Sequence, residues 1–155
     1  MNIVYNKGRS TVIILDNSIT GMTGHQQNPA TGKDIRGDAA PAVDLEQLCR
    51  ALGVSDVKTV DPFDMPALRE ALLASLAFDG PSVIIARRPC ALLSKARTAP
   101  LRVTQSCIGC RRCMGIACPA LIFEAGRARV DISLCNGCGL CASVCPKGAI
   151  VKEEM

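Results

Sequence analysis

The sequence predicts two units of different class: an α/β unit over residues 1–86 built on a parallel sheet, and a small α+β unit over residues 101–155. Three observations predict them. Short β-branched runs alternate with helical patterns as far as residue 86. Eight of the ten cysteines fall in two tight groups beyond residue 106. Between these textures lies a basic, proline-containing stretch, residues 87–100, which reads as a linker. At 155 residues the chain fits one ordinary domain or two small ones.

The elements of the first unit follow from periodicity and punctuation. Thr11–Asp16 (TVIILD) is β-branched, apolar and ends at a polar loop, so a buried strand is expected. Asp44–Leu52 places Leu45, Leu48, Cys49 and Leu52 at helical spacing, with Gly53 positioned to end the helix. Val57–Val60 is a short strand. Asp64 can cap a helix running to Phe78, with Leu68, Leu72 and Ser75/Leu76 facing inward. Asp79-Gly80-Pro81 is a turn, and Ser82–Ala86 (SVIIA) is another buried strand. Strand, helix, strand, helix, strand is the rhythm of a parallel sheet. Residues 17–40 make a long polar connection after the first strand, and ligands of open parallel sheets bind beyond the strands' carboxyl ends.

Composition excludes several classes. Nearly half the residues (48%) are apolar, so a packed core forms and general disorder does not. With no Trp, one Tyr and three Phe, aromatics are scarce, which argues against stacking of single-stranded nucleic acid. No apolar run approaches the ~20 residues that cross a membrane. Val12–Leu15 is strand-length only, not a signal peptide's core, and a cytoplasmic protein is expected. The net charge of +4 is uneven: no acid lies between Asp79 and Glu124, where Arg87, Arg88, Lys95, Arg97, Arg102, Arg111 and Arg112 do. A solvated linker and a surface attracting an acidic partner are both consistent with that run.

The cysteine groups carry the chemistry. The first is Cys107-x2-Cys110-x2-Cys113-x4-Cys118-Pro119 and the second Cys135-x2-Cys138-x2-Cys141-x3-Cys145-Pro146. Three thiolates spaced this way on a tight loop reach three corners of one Fe4S4 cube, and the fourth cysteine ligates the other cube. The spacing therefore assigns Cys107, Cys110, Cys113 and Cys145 to one [4Fe–4S] cluster, and Cys135, Cys138, Cys141 and Cys118 to a second. Gly109, Gly137 and Gly139 let backbone amides turn toward sulfur. Zinc ribbons use paired CxxC knuckles without a third cysteine two residues on, and cytosolic thiols stay reduced rather than forming disulfides. The extra residue between Cys113 and Cys118 is expected to lengthen only a loop. Leu121–Glu124 and Ala128–Ile132 read as a hairpin across Ala125-Gly126, with Ala149–Val151 a final strand. Cys49 lies on an apolar helical face and belongs to the core, and Cys90 has no partner spacing. The second unit is thus a bacterial-type 2[4Fe–4S] ferredoxin-like domain.

Tyr5-Asn6-Lys7 and the stretch VIILDNSITGMTGHQQNPATGK (Val12–Lys33) resemble the thiamine-diphosphate domain of the indolepyruvate ferredoxin oxidoreductase alpha-subunit family. That family also ends in a two-cluster module with a longer gap in its first group. The resemblance implies thiamine diphosphate anchored through Mg²⁺, with Asn17 giving its side-chain oxygen and Ile19 its backbone oxygen. It places Met22, Thr23 and Gly24 near the thiazolium and diphosphate. His25, the only histidine, is a candidate general base, with an orienting or structural role favoured. The family's Gly-Asp-Gly/Ser element and its activating glutamate have no counterpart in these residues. A complementing N-terminal half is therefore expected for cofactor binding, and the chain by itself is not expected to decarboxylate. The resemblance implies further partners: a beta subunit, external ferredoxin as acceptor, and arylpyruvate with CoA in the full enzyme. A stand-alone ferredoxin-like carrier is the alternative. A regulatory iron–sulfur module lacks any DNA-reading element.

Overall fold

A computed structural model describes residues 1–93 and 98–152. The chain divides into two compact units, Met1–Leu93 and Ser94–Met155. The first unit runs α1 (Asn2–Tyr5), β1 (Ser10–Asp16), α2 (Leu45–Ala51), β2 (Asp56–Val60), α3 (Met65–Ala77), β3 (Pro81–Arg87). Its sheet is parallel throughout, ordered β1-β3-β2. The last strand in sequence is thus the central one, and its continuous apolar run follows from burial on both faces: Ile84 and Ile85 are fully buried.

Alternation along the strands sends two sets of side chains to opposite faces. On one face Val57, Val83 and Ile85 pack with Cys49 and Val54, joined by Val4, Ile14 and Leu45. Cys49 is core, as its helical position predicts. On the other face lies α3. There the Ser82 hydroxyl, 3.2 Å from the Ser75 carbonyl oxygen, donates to Thr11 Oγ1 at 3.0 Å. The Thr11 hydroxyl donates to the same carbonyl at 3.2 Å. The inward stripe of α3 is therefore Ala71 and Ser75, which are buried, with Leu68 and Leu72 half-buried. Leu76, expected inward, is 62% exposed. The reason is angular: small side chains four residues apart seat the helix on the sheet, and Leu76 lies a further ~100° round. Leu48 and Leu52 of α2 are exposed for the same reason, leaving Leu45 and Cys49 to pack.

The anticipated Asp64 cap forms, and Asp44 supplies a second. Asp44 accepts from the amides of Glu46 and Gln47 at 2.9 and 3.0 Å, and Asp64 accepts from Ala67 N at 3.1 Å. Each cap stabilises its helix by ~1 kcal/mol. The sheet's β1 edge is unpaired among the described residues, and Ile13 and Leu15 on its α3 side are 48% and 79% exposed. The basic stretch begins inside the first unit. Arg87 ends β3 and pairs with Asp16 at 2.8 Å, while Arg88 pairs with Asp61 at 2.6 Å and lies 4.0 Å over the Phe63 ring. These two cations are engaged within their own unit. Lys95 and Arg97 lie outside the described residues.

The second unit contains β4 (Leu101–Val103), a 3₁₀ turn at Arg112–Ile116, β5 (Leu121–Glu124), β6 (Arg127–Val130), α4 (Leu140–Ser143) and β7 (Ile150–Lys152). β4 pairs antiparallel with β7, and β5 with β6. Leu101, Leu121, Ala128, Val130 and Ile150 form the core together with Cys113 and Cys141. The hairpin ends at Val130, short of Ile132, because Asp131 turns the chain. Its amide bonds Ala120 O at 2.8 Å and its carboxylate accepts from Ser133 N at 2.9 Å. β4 has no sequence signal of its own, being three residues with Arg102 in the middle.

Candidate metal centre

The two cysteine groups repeat not only in spacing but in environment. In each, the first and fourth cysteines (107 and 118, 135 and 145) are half-buried, the second (110, 138) is exposed, and the third (113, 141) is buried. The third cysteine sits in each case on a short helical turn, Arg112–Ile116 or α4. The extra residue of the first group is absorbed there: that turn has five residues against four in α4. Ala117 then closes it in left-handed conformation at φ 54°. The insertion therefore lengthens a helical turn as well as the loop expected to carry it.

Electrostatics sort the eight sulfurs into two quartets. Burial pushes the Cys113 thiol up, and the sulfurs that push it further are Cys107, Cys145 and Cys110. Burial pushes Cys141 up to about 11, with Cys138, Cys135 and Cys118 as its charged neighbours. Each fourth cysteine thus lies with the other group's triplet. A hollow in the unit is lined by Cys107, Cys110, Cys113 and Cys145, with Phe123 and Lys147 at its wall. Among the described residues no three His, Cys, Asp or Glu side chains converge on a single ion.

The backbone is arranged for anionic sulfur. Cys135 Sγ accepts from Leu101 N and Gly137 N, both at 3.4 Å, and Cys145 Sγ accepts from Ala149 N at 3.3 Å. The Cys107 thiol is held below its ordinary value by the amides of Gly109 and Ala128, aided by the Arg127 guanidinium. Gly109 has φ +68°, and a Cβ there would fall onto the carbonyl oxygen of Gly126, nearer than the 3.0 Å real Cβ atoms keep. Gly137, at φ +70°, meets Ala99 O and Thr98 in the same way. The loops therefore close on glycine backbone, leaving amides free to point at sulfur. Eight thiolate donors in two quartets within amide-lined loops fit two cubes.

Sequence reasoning named Arg111 in the basic run but missed its stacking, and missed Arg127, beside the first quartet. Arg111 lies 4.2 Å over the Phe123 ring, and Arg127 also donates to Thr104 O at 2.8 Å. Arg111 adopts a left-handed conformation, φ 61°, for which no residue type in the motif gives a signal.

In the first unit the predicted thiamine residues gather at the carboxyl end of β1. Asn17 Oδ1 accepts from Ile19 N at 3.2 Å, and the Asn17 carbonyl accepts from Cys90 N at 2.9 Å. Ile19 is buried. Reciprocal backbone bonds between Thr20 and Gln26, at 3.0 and 3.1 Å, close a small loop. Met22, Thr23, Gly24 and His25 are exposed at its tip. Thr23 Oγ1 bonds Gln26 Oε1 at 2.7 Å. No hydrogen bond among the described residues holds the His25 ring. A shallow concavity opens at the carboxyl ends of β1 and β3, lined by Asp16, Ser18, Ala30, Asp44 and Arg87. Asp16 and Arg87 are the last residues of their strands, the positions at which open parallel sheets meet ligands.

Residues 1–86 match the family described as thiamine pyrophosphate enzyme, C-terminal TPP binding domain, and residues 128–151 match the 4Fe-4S binding domain. The chain is 44% identical to indolepyruvate oxidoreductase subunit IorA of Archaeoglobus fulgidus, over 97% of this chain and 25% of that protein. To IorA of Methanothermobacter marburgensis it is 40% identical over 99% of its own length and 25% of the relative's. To pyruvate synthase subunit PorD of Thermotoga maritima it is 44% identical over 54 residues, 33% of this chain and 54% of that protein. The chain spans about a quarter of the length of the IorA relatives it matches. With the first match covering more than half its residues, the chain belongs to the thiamine pyrophosphate enzyme family, as a C-terminal TPP binding domain followed by a 4Fe-4S module similar to the C-terminal portion of IorA.

Proposed function

We propose that this chain is the electron-exit portion of a 2-oxoacid:ferredoxin oxidoreductase of the indolepyruvate type, carrying two [4Fe–4S] clusters. The crossed cysteine quartets carry this reading: each cluster draws three thiolates from one loop and the fourth from the other. When bound, thiamine diphosphate supplies the electron sink for decarboxylation, and the clusters pass the released electrons singly. The chain's own residues hold and insulate. The buried Cys113 and Cys141 would keep water from part of each cluster they hold, while the exposed Cys110 and Cys138 would hold theirs near the surface.

At the strand end Asn17 keeps a side-chain lone pair beyond its bond to Ile19 N, and the Ile19 backbone oxygen lies two residues on. Mg²⁺ takes six oxygens. These two fit as part of its shell, with diphosphate, water and a complementing half supplying the rest. Met22, Thr23 and Gly24 line the thiamine side in this reading, His25 orients rather than accepts a proton, and arylpyruvate and CoA react on the completed assembly. A beta subunit and an external ferredoxin complete the partners, in the cytoplasm. Among the described residues no helix is long and apolar enough to cross a membrane. The exposed Ile13 and Leu15 on an unpaired edge favour a part of a larger assembly over a stand-alone carrier.

Double cysteine variants test the quartets. Cys107→Ser with Cys145→Ser strikes one proposed cluster and leaves about four irons and four sulfides per chain of the eight expected. Cys141→Ser with Cys145→Ser strikes both and leaves neither intact. The opposite order of iron contents would show that each group closes its own cube. For the thiamine reading, calorimetry with Mg²⁺ and a chain supplying the complementing half must show binding that Asn17→Ala weakens.

A further inference from the structure

Both quartets present one exposed cysteine, so exposure does not choose between them as the exit. Charge does. The loops that hold Cys118, Cys135, Cys138 and Cys141 carry none: no charged residue lies between Arg112 and Glu124, or between Asp131 and Lys147. That side instead exposes Ile132 (64%) and Leu134 (59%) immediately before Cys135. Around the first quartet the picture reverses. Arg111 and Lys147 line the same hollow as its four cysteines, Arg112 is exposed beside Cys113, and Arg127 reaches Cys107. The nearby acid Glu124 is met by Arg129 at 3.6 Å. From Thr98 to Lys152 there are seven cations and two acids.

Resting on the relay reading above, we propose that the surface around Ile108, Cys110, Arg111 and Lys147 docks a small acidic one-electron carrier protein, so that electrons leave by the Cys107/Cys110/Cys113/Cys145 cluster. The other cluster, under its uncharged rim, receives them. In the final step the exit cluster, holding one electron, is oxidised as the carrier's oxidised cluster is reduced. One electron crosses and no proton moves. Arg111 is fixed by its stacking on Phe123, so its charge is presented at little entropic cost. Ile108, 62% exposed beside Cys110, supplies an apolar contact at the centre of the cationic ring. A ring of charge about an apolar centre steers encounter and sets register, and salt screens it.

The test uses the reconstituted full chain and an acidic plant-type [2Fe–2S] ferredoxin as probe, whose spectrum separates from the chain's own. Stopped-flow transfer from the photoreduced chain gives a second-order rate, and binding to immobilised chain gives Kd. Arg111→Glu with Lys147→Glu should lower the rate and raise Kd at least tenfold at low salt, and flatten the salt dependence of both. Arg36→Glu with Arg69→Glu, an equal charge change in the first unit, should leave both within twofold. If the glutamate pair loses iron, Arg111→Gln with Lys147→Gln is judged instead, with at least a threefold effect expected. Equal effects of the two charge-reversed pairs would overturn the proposal. So would a full effect of Leu134→Glu while Arg111 and Lys147 variants behave as wild type. A wild-type chain whose clusters form but pass no electron to the probe sinks the relay reading as well.

Discussion

Replacing Gly109 by alanine separates the two demands that the first cluster loop makes on its backbone. The residue has φ +68°, and an alanine there costs ~1–2 kcal/mol on conformation alone. The added methyl also meets the Gly126 carbonyl in the turn between β5 and β6, which is backbone and yields little. Such overpacking costs ~1–3 kcal/mol. Gly139 supplies the control, because it has φ +83° but open space around its missing Cβ, so Gly139→Ala pays the conformational cost alone. Gly115→Ala, unstrained and in open space, should be neutral. Cluster loss makes unfolding irreversible, so the measurement is a rate: anaerobic bleaching of visible absorbance in guanidinium after confirming iron content. A steric difference of ~1–3 kcal/mol, released on opening, makes Gly109→Ala bleach about 5- to 150-fold faster than Gly139→Ala. Equal rates for the two alanine variants would refute the close approach of loop and hairpin.

Three further outcomes are expected. The β5–β6 hairpin turns on Ala125-Gly126 with φ 49° and 77°, a two-residue loop that favours Asn first, so Ala125→Asn should slow bleaching and stabilise by ~0.5–1 kcal/mol. Glu46 accepts from Arg50 at 2.9 Å and from Thr59 of β2 at 3.1 Å, and chiefly the Arg50 bond holds its carboxyl below 4.5. A depressed folded value contributes stability present above pH 4.5 and lost as pH falls through it. Calorimetry should therefore show a smaller drop in melting temperature from pH 6 to pH 4 for Glu46→Gln than for wild type. Leu15→Lys should convert a self-associating isolated chain to a monomer by sedimentation while leaving stability within ~0.5 kcal/mol, and a wild-type chain monomeric at high micromolar concentration would count against the exposed edge as a contact surface.

Where one physical rule dominated locally, the sequence was enough to read the fold. SVIIA reads as a buried strand because burial on both faces removes alternation, and Asp64 reads as a cap because a carboxylate before an apolar stripe has few other uses. What escaped was set by packing at a distance. Leu76 has the right spacing for an inward stripe, yet Ala71 and Ser75 seat the helix, because a small residue gains more from close approach than a leucine one position away. β4 exists because β7 pairs with it, and three residues containing an arginine carry no strand pattern of their own.

The site was legible for a different reason. Thiolate spacing for a four-iron cube follows a motif rule, so all eight cysteines can be named from the sequence, and the charged neighbours of Cys113 include Cys145 as those of Cys141 include Cys118. Arg127 and Lys147 went unread because their relevance depends on where the chain returns: both are distant in sequence from Cys107 but reach its quartet. The crossing has a consequence for assembly. In the proposed two-cluster reading, neither cluster would be completed until both loops are in place, so filling one site would order the fourth ligand of the other. Burial pushes the Cys113 and Cys141 thiols up, and because both sit in the core, iron binding in the proposed reading would couple to core packing. Under that proposal the module should lose both clusters together when the core around Leu101 and Ile150 is disrupted, and one at a time only when a ligand of a single quartet is removed.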